Sequence, residues 1–214
     1  YQGANGHGPG DGTVVTPNLH LKEAVAIGCG IAPQMAILDS YAGAANAIDE
    51  ALRNVVASGG NPERTAILDN FCWGDCRKPD RLGSLVLAAE ACYDAAIAYG
   101  TPFISGKDSL NNEYRVGNEE IAIPPTLLCT AVSIVKDYKK TIGTTLCKKD
   151  NIIVQIGIST NHGGGSIISE LLNLPSSRVP SPKFDTALES FIAIHKAIQK
   201  NAILACHDMA EGGL

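Results

Sequence analysis

The sequence lacks the features that would place it in a membrane, in a secretory pathway or on nucleic acid. No uninterrupted apolar run reaches the roughly 18 residues of a membrane-spanning helix, and the first residues carry no basic-then-apolar signal pattern. The 17 Lys and Arg residues are scattered and outnumbered by 22 Asp and Glu, giving a formal net charge of -5. This distribution argues against a general nucleic-acid-binding face. We therefore expect a cytoplasmic globular protein without membrane or nucleic-acid partners.

The cysteines form neither a disulfide framework nor a zinc pattern. Their number is odd, and most lie in apolar runs such as residues 127–132, which favours reduced thiols. Cys72 and Cys76 flank Trp73 without a second pair of ligands, so we expect packing there rather than a metal. The seven are Cys29, Cys72, Cys76, Cys92, Cys129, Cys147 and Cys206.

No internal repeat is present, and predicted strands alternate with predicted helices instead. Apolar residues recur at three and four positions between residues 40 and 56, with Asp39 or Ser40 as a cap and Gly59 at the end, which predicts an amphipathic helix. Further helices are expected at 80–100, from 163, and at 184–200. Strands are expected at 13–17, 22–28, 64–70, 101–106, 125–137, 151–157 and from 202. The strand at 101–106 is expected to lead into a polar loop through Glu120.

This order predicts a layered α/β fold. The polar segment 139–151 indicates a boundary, so we expect one domain at 1–148 and the beginning of a second at 149–214. The Gly-rich start and the "HDMAEGGL" end suggest a fragment of a longer chain.

Three polar clusters follow predicted strands: Asp69-Asn70, Ser105–Ser109, and His207-Asp208 with 211–213. Strand ends in layered α/β proteins are where ligand-binding groups converge, because the sheet is rigid and the following loops face a crevice. Three such clusters in one chain therefore favour a ligand site.

The "SGKDS" cluster has the residue types of a phosphate site. Gly106 allows close backbone approach, Lys107 offers positive charge, Asp108 can hold magnesium and Ser109 can bind a phosphate oxygen. It is not a Walker loop, because Thr101 replaces the first glycine of that motif. From these five residues alone, a solvated hairpin turn is an equal alternative.

Other polar residues have simpler interpretations beside the functional ones. Asp69 can face a nucleotide or merely cap the following turn. The "GGGS" segment 163–166 can bind an anion at a helix start or serve as a turn without a ligand. His207 with Asp208 can form a second site, or His207 can be satisfied at a strand end.

Two further features are interpreted as structural. His195 lies among apolar residues of a predicted helix and indicates packing. Asn46, Asp49 and Arg53 share one helical face, for which we expect solvation rather than a site wall.

Two blocks, "LDNFCWGD" and "TPFISGKDSLNNE", stand in a specific order and separation. With "GPGDG", "LDSYAGAANAIDEALRNVVASGG", "GGGS" and "HDMAEGGL", they make nearly the whole chain resemble the phosphoribosylformylglycinamidine synthase family of the AIR-synthase-related superfamily. The resemblance implies an N-type α/β domain to about residue 148 and the start of a C-type domain, together the second of two copies. It also implies a ligase in which ATP activates formylglycinamide ribonucleotide and ammonia from glutamine yields formylglycinamidine ribonucleotide, in purine biosynthesis.

The resemblance carries roles to individual positions. Asp69 and Gly106 match nucleotide contacts, and Ser109 matches a contact of the ribonucleotide substrate. Lys107 stands at the family's metal position, where an ammonium group cannot coordinate a cation, so the metal role passes to neighbouring Asp108. Lys107, Asp208, Gly212 and Gly213 are further candidate anion contacts.

The expected cofactors are ATP and Mg²⁺. The expected partners are formylglycinamide ribonucleotide, a glutaminase domain or subunit, and the first-repeat half of the parent or an equivalent dimer partner. The family's catalytic His lies in that first half, so no catalytic residue is assigned here and the fragment alone should be inactive. No cysteine occupies the strand-to-helix turn of a glutaminase.

Two alternatives stay open. This copy can be a structural half whose site is degenerate or permanently filled by ADP, an interpretation that Lys107 supports. The parent can also catalyse another reaction of the superfamily, as aminoimidazole ribonucleotide synthase or selenophosphate synthetase do, although the "LDNFCWGD" block argues against both.

Overall fold

The computed structural model describes residues 8, 10–146, 148–174 and 178–213. Its strands are β1 (Gly12–Val15), β2 (Ala24–Ile31), β3 (Thr65–Cys72), β4 (Phe103–Ser109), β5 (Glu113–Val116), β6 (Glu119–Ala122) and β7 (Thr126–Val135). Its helices are α1 (Pro33–Leu38), α2 (Ser40–Ala57), α3 (Pro79–Tyr99), α4 (Ile167–Leu171) and α5 (Phe184–Gln199), with short 3-10 turns at Pro62–Arg64 and Tyr138–Lys140. This mixed α/β arrangement confirms the predicted fold class.

Five strands form one sheet in the order β1-β2-β7-β3-β4. The β3 and β4 strands are parallel and joined by α3, whereas all other neighbours in this sheet are antiparallel. A parallel pair requires a long crossover, which α3 supplies. The outcome is that the ends of β3 and β4 lie side by side.

The core lies between one face of the sheet and helices α2, α3 and α5. Along β7 every second residue is buried, as expected for a sheet covered on one face. Helix α2 approaches β2 so closely that a Cβ on Gly30 would lie 2.0 Å from the Ala47 carbonyl oxygen. The absence of a side chain at Gly30 is therefore a condition for this packing.

The helix predicted from residue 40 is present as α2, with the predicted cap at its start and the predicted glycine after its end. The Asp39 carboxylate accepts a hydrogen bond from the Ala42 N–H, which satisfies one of the free donors at the helix start. The helix ends at Ala57, followed by Gly59 with φ of 98°, a conformation that favours glycine.

No helix covers the opposite face of the sheet in the described part of the chain. This outer face is formed by the alternate residues of each strand, including Val25, Ile27, Cys29 and Ile31 of β2. Ile27 and Ile31 are 37% and 39% exposed despite their apolar side chains. An apolar sheet face of this kind is typical of a surface that another unit covers.

The polar segment between β4 and β7, expected as a loop, forms the β5–β6 hairpin. The Glu113 carboxylate anchors it, accepting from the Asp75 N–H and pairing with Lys78 Nζ at 2.7 Å and Arg81 Nε at 2.5 Å. The prediction of a loop was wrong because the alternation over so few residues is too short to recognise.

Helix α3 is long and apolar enough to cross a membrane by length and composition alone. It includes Glu90 and Asp94, and it buries Ala88, Ala91 and Ala95 against the core. Core helices of globular proteins pass the same composition test. Only one side of α3 packs against the core, and Leu82, Val86 and Ile97 on the rest of the helix are 47%, 48% and 69% exposed.

The strands predicted at 151–157 and from 202 are absent: both segments are extended or irregular, without ladder partners. Ile152 and Val154 are 89% and 70% exposed. A strand needs a neighbour for its backbone hydrogen bonds, and among the described residues none is beside these segments. The domain boundary near residue 148 stays a prediction.

Six cysteines are free thiols, as expected. Cys92 and Cys129 are buried, and burial raises the pKa of Cys92 to about 12, with Asp69 adding to the effect. Cys147 lies outside the described residues.

Candidate functional site

Asp69 and Gly106 are directly paired across the parallel strands β3 and β4. A Cβ built on Gly106 would lie 2.4 Å from Asp69 Oδ1 and 2.7 Å from Oδ2. Any side chain at 106 would therefore displace the carboxylate. The two residues that the sequence assigned to nucleotide binding form one structural unit.

The "SGKDS" segment is not a loop at the end of a strand. All of Phe103–Ser109 belongs to β4, because its pairing with β3 continues to Ser109 opposite Cys72. The predicted end at residue 106 was wrong, since a polar sequence does not reveal that a neighbouring strand continues. As an edge strand, β4 keeps this polar segment exposed.

Strand alternation divides the predicted site residues between two faces. Lys107 and Ser109 lie on the outer face, where Lys107 Nζ donates to Ser109 Oγ at 2.5 Å. Asp69, Gly106 and Asp108 lie on the helix-bearing face. Asp108 therefore cannot take the place of Lys107 beside Ser109, and its metal role stays a prediction that would involve Asp69.

The environment of Asp69 favours its neutral form more than water does. Burial raises the pKa of this carboxyl, and the nearby Asp108 charge raises it further. The Lys107 backbone N–H donates to Asp69 and partly offsets both effects. A cation or a hydrogen-bond donor from a ligand would relieve this unfavourable charge.

A second cluster gathers Asp11, His207 and Asp208, named here the Asp11 cluster. One ligand atom from each lies within 4.8 Å of the others. His207 Nδ1 is 2.8 Å from Asp11 Oδ1, and the Asp208 N–H donates to Asp11 Oδ2. The Asp11 and Asp208 side chains are each only 9% exposed. Two buried carboxylates this close favour a cation at Asp208 over the anion expected from the sequence.

Asp208 Oδ2 is a buried oxygen without a hydrogen-bond partner among the described residues. Burial raises the pKa of Asp208, and Arg53 counteracts that rise. A buried, unsatisfied carboxylate oxygen is costly unless something binds it. Apart from the ion pair with Arg53, this oxygen has no partner among the described residues, so it fits a cation ligand.

Arg53 reaches the Asp11 cluster from α2, with its Nε 3.5 Å from Asp208 Oδ2. Its Nη1 pairs with Asp49, which also accepts a hydrogen bond from the Tyr99 hydroxyl. Asn46 Nδ2 donates to the Pro180 carbonyl at 2.6 Å. The solvated face predicted for this helix was wrong, because α3 and the segments near 180 and 208 cover it.

The remaining predicted residues lie elsewhere or act locally. Ser166 of "GGGS" caps the five-residue α4 by accepting a hydrogen bond from the Ser169 N–H, and an anion at this helix start stays a prediction. Gly212 and Gly213 are exposed in the final turn. His195 is half-buried in α5, where burial lowers its pKa, consistent with packing.

The two clusters are separate. Asp11 directly precedes β1 and Asp69 lies in β3, three strand positions away, or roughly 15 Å at ordinary strand spacing. The sequence missed Asp11 and Arg53 as site residues. A signal for Asp11 was available in "GPGDG", where this Asp lies between two glycines just before a predicted strand. Glycines at such a position allow a ligand to approach the backbone closely.

Comparison with curated proteins finds phosphoribosylformylglycinamidine synthase subunit PurL of Bartonella bacilliformis, 30% identical over 206 residues. The match covers 96% of this chain but 27% of the relative, so the chain spans about a quarter of the length of the curated relatives it matches.

Solved structures agree on the fold. Thermotoga maritima PurL complexed with FGAR is 25% identical, with a TM-score of 0.54, covering 62% of this chain and 20% of that one. T. maritima PurL complexed with ATP is 23% identical, with a TM-score of 0.53, covering 62% and 21%.

A family model described as the N-terminal domain of AIR synthase related proteins matches residues 10–135. These residues include β1 to β7 and both strands that carry Asp69 and Gly106. On this match over more than half of its length, the chain belongs to the AIR synthase related family.

Proposed function

We propose that the chain is part of an ATP-dependent phosphoribosylformylglycinamidine synthase and supplies nucleotide and substrate contacts to it. The relatives carry that name, and a neighbouring structure holds FGAR. The observation that carries the proposal is the fit of the Asp69 carboxylate against Gly106 across β3 and β4. The chain spans about a quarter of the length of its curated relatives, so activity would require the rest of the parent.

In the proposed reaction, ATP phosphorylates the formyl amide oxygen of formylglycinamide ribonucleotide and ammonia displaces the phosphate. Asp69 and Gly106 would position the nucleotide, with the missing side chain at 106 leaving room for the carboxylate. On the opposite face of β4, Lys107 and Ser109 offer an ammonium group and a hydroxyl to phosphate oxygens. The strand would thus separate two binding roles on its two faces.

We assign Mg²⁺ to the Asp11 cluster rather than to Asp108. Magnesium prefers oxygen ligands, so Asp11 and Asp208 would hold it, while His207 orients Asp11. The buried Asp208 Oδ2 without a hydrogen bond supports this assignment, whereas Asp108 is exposed. When bound, Mg²⁺ supplies positive charge for phosphate oxygens.

The outer face of the sheet is the proposed contact for the first-repeat half of the parent or an equivalent dimer partner. Its exposed Ile27 and Ile31 support that proposal. A glutaminase domain or subunit is proposed as the ammonia source, and the cytoplasm as the location, in keeping with six free thiols.

The test is an assay of the complete parent with formylglycinamide ribonucleotide, ATP and ammonium, comparing wild type with Asp69→Asn and Gly106→Ala. The proposal expects ATP-dependent product from wild type and weaker ATP affinity and turnover in both variants. Absence of an ATP-dependent product rejects the reaction, and normal kinetics in both variants reject the site.

The second candidate is a structural half with a retained nucleotide, favoured by Lys107 at the family's metal position. Isothermal titration separates the two candidates. Exchangeable Mg-ATP at this half supports the catalytic role, whereas ADP that stays bound through purification supports the structural role.

A further inference from the structure

Arg53 and Asp208 are close together, but the two atoms that face each other do not form a hydrogen bond. Arg53 Nε and Asp208 Oδ2 are 3.5 Å apart, and each is buried without a hydrogen-bond partner among the described residues. Opposite charges at this distance attract, yet the pair is longer than an ordinary charge-assisted hydrogen bond. The contact therefore offsets the charge of Asp208 but leaves its Oδ2 without a hydrogen bond.

The other end of the Arg53 guanidinium is held independently of Asp208. Its Nη1 pairs with Asp49, one turn earlier in α2. Asp49 is 5% exposed and accepts a hydrogen bond from the Tyr99 hydroxyl. Tyr99 in turn packs against Phe184 and Phe191 of α5. Arg53 can thus release Asp208 and still keep a buried carboxylate partner.

Of the two carboxylates in the Asp11 cluster, Asp208 pairs with Arg53 and Asp11 pairs with His207. Without Arg53, Asp208 would be a buried charge beside Asp11, an arrangement that is strongly destabilising. The Arg53 contact links Asp208 to α2. A divalent cation arriving at Asp208 Oδ2 meets a site already partly neutralised.

We propose that Arg53 is a built-in competitor for the divalent cation at the Asp11 cluster. It pairs with Asp208 when no metal is present and moves toward Asp49 when a metal takes Asp208 Oδ2. The metal is therefore bound weakly and exchanges readily, and Asp208 always has a positive partner. This inference rests on the Mg²⁺ site of the proposed function.

The test is Mn²⁺ binding to the complete parent chain without nucleotide, followed by electron paramagnetic resonance. Asp208→Asn identifies the ions bound elsewhere. Arg53→Met should bind the Asp208-dependent ion about tenfold more tightly than wild type, because the change removes the attraction between opposite charges that competes with the ion. Arg53→Lys keeps the charge and should stay close to wild type. Arg77→Met, which removes an exposed Arg paired with Asp75, is the matched control and should change nothing.

The outcomes separate the two proposals. If Asp208→Asn binds as many ions as wild type does, and as many as Arg53→Met does, the Mg²⁺ assignment itself fails. If Asp208→Asn loses an ion but Arg53→Met binds it no more tightly than wild type, the competitor role of Arg53 is rejected and the metal site stands.

A second measurement covers the case in which Arg53→Met does not fold. In ¹⁵N-labelled wild type, Mg²⁺ addition should shift the Arg53 Nε–H resonance, and the shift should be lost in Asp208→Asn. An unchanged resonance at saturating Mg²⁺ overturns the inference.

Discussion

The Asp69 carboxylate occupies the space into which a side chain at Gly106 would project, with a Cβ at 106 falling 2.4 Å from Asp69 Oδ1. The two residues are register partners in neighbouring parallel strands, so neither can move without disturbing the ladder. A glycine at this position is thus required by the Asp69 side chain and not by a turn.

Gly106→Ala should destabilise the protein by about 1–3 kcal/mol, the usual cost of overpacking, and weaken ATP binding in the parent. Replacing Asp69 with Ala makes room, so Gly106→Ala should cost less in that background. Urea denaturation of the double-mutant cycle measures this coupling. Gly83→Ala is the control, since nothing lies within 4 Å of a Cβ there. Additive effects of the two changes would contradict the steric relation.

Tyr99→Phe should lower the free energy of unfolding by about 1.5–3 kcal/mol, the usual contribution of a hydrogen bond to a charged group. The change leaves ring packing intact and removes only the hydroxyl that donates to Asp49. Tyr93→Phe, at a position 69% exposed, should change stability by less than about 0.5 kcal/mol. Equal effects of the two changes would mean that the Asp49 contact contributes nothing.

Cys29 should react quickly with iodoacetamide in this chain alone and slowly in the complete parent. Its thiol lies on the outer face of β2, which the proposed first-repeat half would cover. Cys92 is the internal control: it is buried and its pKa is raised to about 12, so it should react slowly in both. Mass spectrometry of the alkylated peptides gives both rates. Equal Cys29 rates in both proteins would leave the outer face without a partner.

Acid should remove the contribution of Glu113 to stability. The Lys78 ammonium, the Asp75 N–H and Arg81 hold the pKa of Glu113 below its ordinary value of 4.5. A lowered pKa in the folded state means that the stabilisation is complete above the ordinary value and is lost as pH falls through the folded value. Glu113→Gln should therefore be less stable than wild type at neutral pH, and the difference should vanish in acid.

Urea denaturation at both pH values measures this difference, with exposed Glu119→Gln as control. A Glu113→Gln difference that persists in strong acid would show that the contact acts by shape and not by charge.

Much of the secondary structure could be predicted from local features of the sequence. Asp39 as a cap and the apolar spacing of α2 were visible in the sequence because a helix makes its hydrogen bonds within one segment. The β7 strand could also be predicted, since a long apolar run between polar segments indicates a central strand.

The wrong predictions all depend on contacts between segments that are distant in the sequence. The continuation of β4 to Ser109 depends on pairing with β3, and the absence of a strand at 151–157 depends on a missing neighbour. Arg53 was assigned to solvent because helical spacing identifies a face but not the segment that covers it. Asp11 and Asp208 are 197 residues apart, a proximity that no local pattern contains.

The alternation of β4 also limits how the gene can change in length. Asp69, Gly106 and Asp108 share one face, and Lys107 and Ser109 the other. The pairing with β3 skips Ile104, so β4 already absorbs one extra residue ahead of Gly106 as a bulge. Beyond Gly106 the pairing is regular, and inserting or deleting one codon there would exchange the two faces for every residue that follows in the strand. A change of two codons would keep the faces and shift only the position along β3, so even-numbered length changes should be the ones that relatives tolerate.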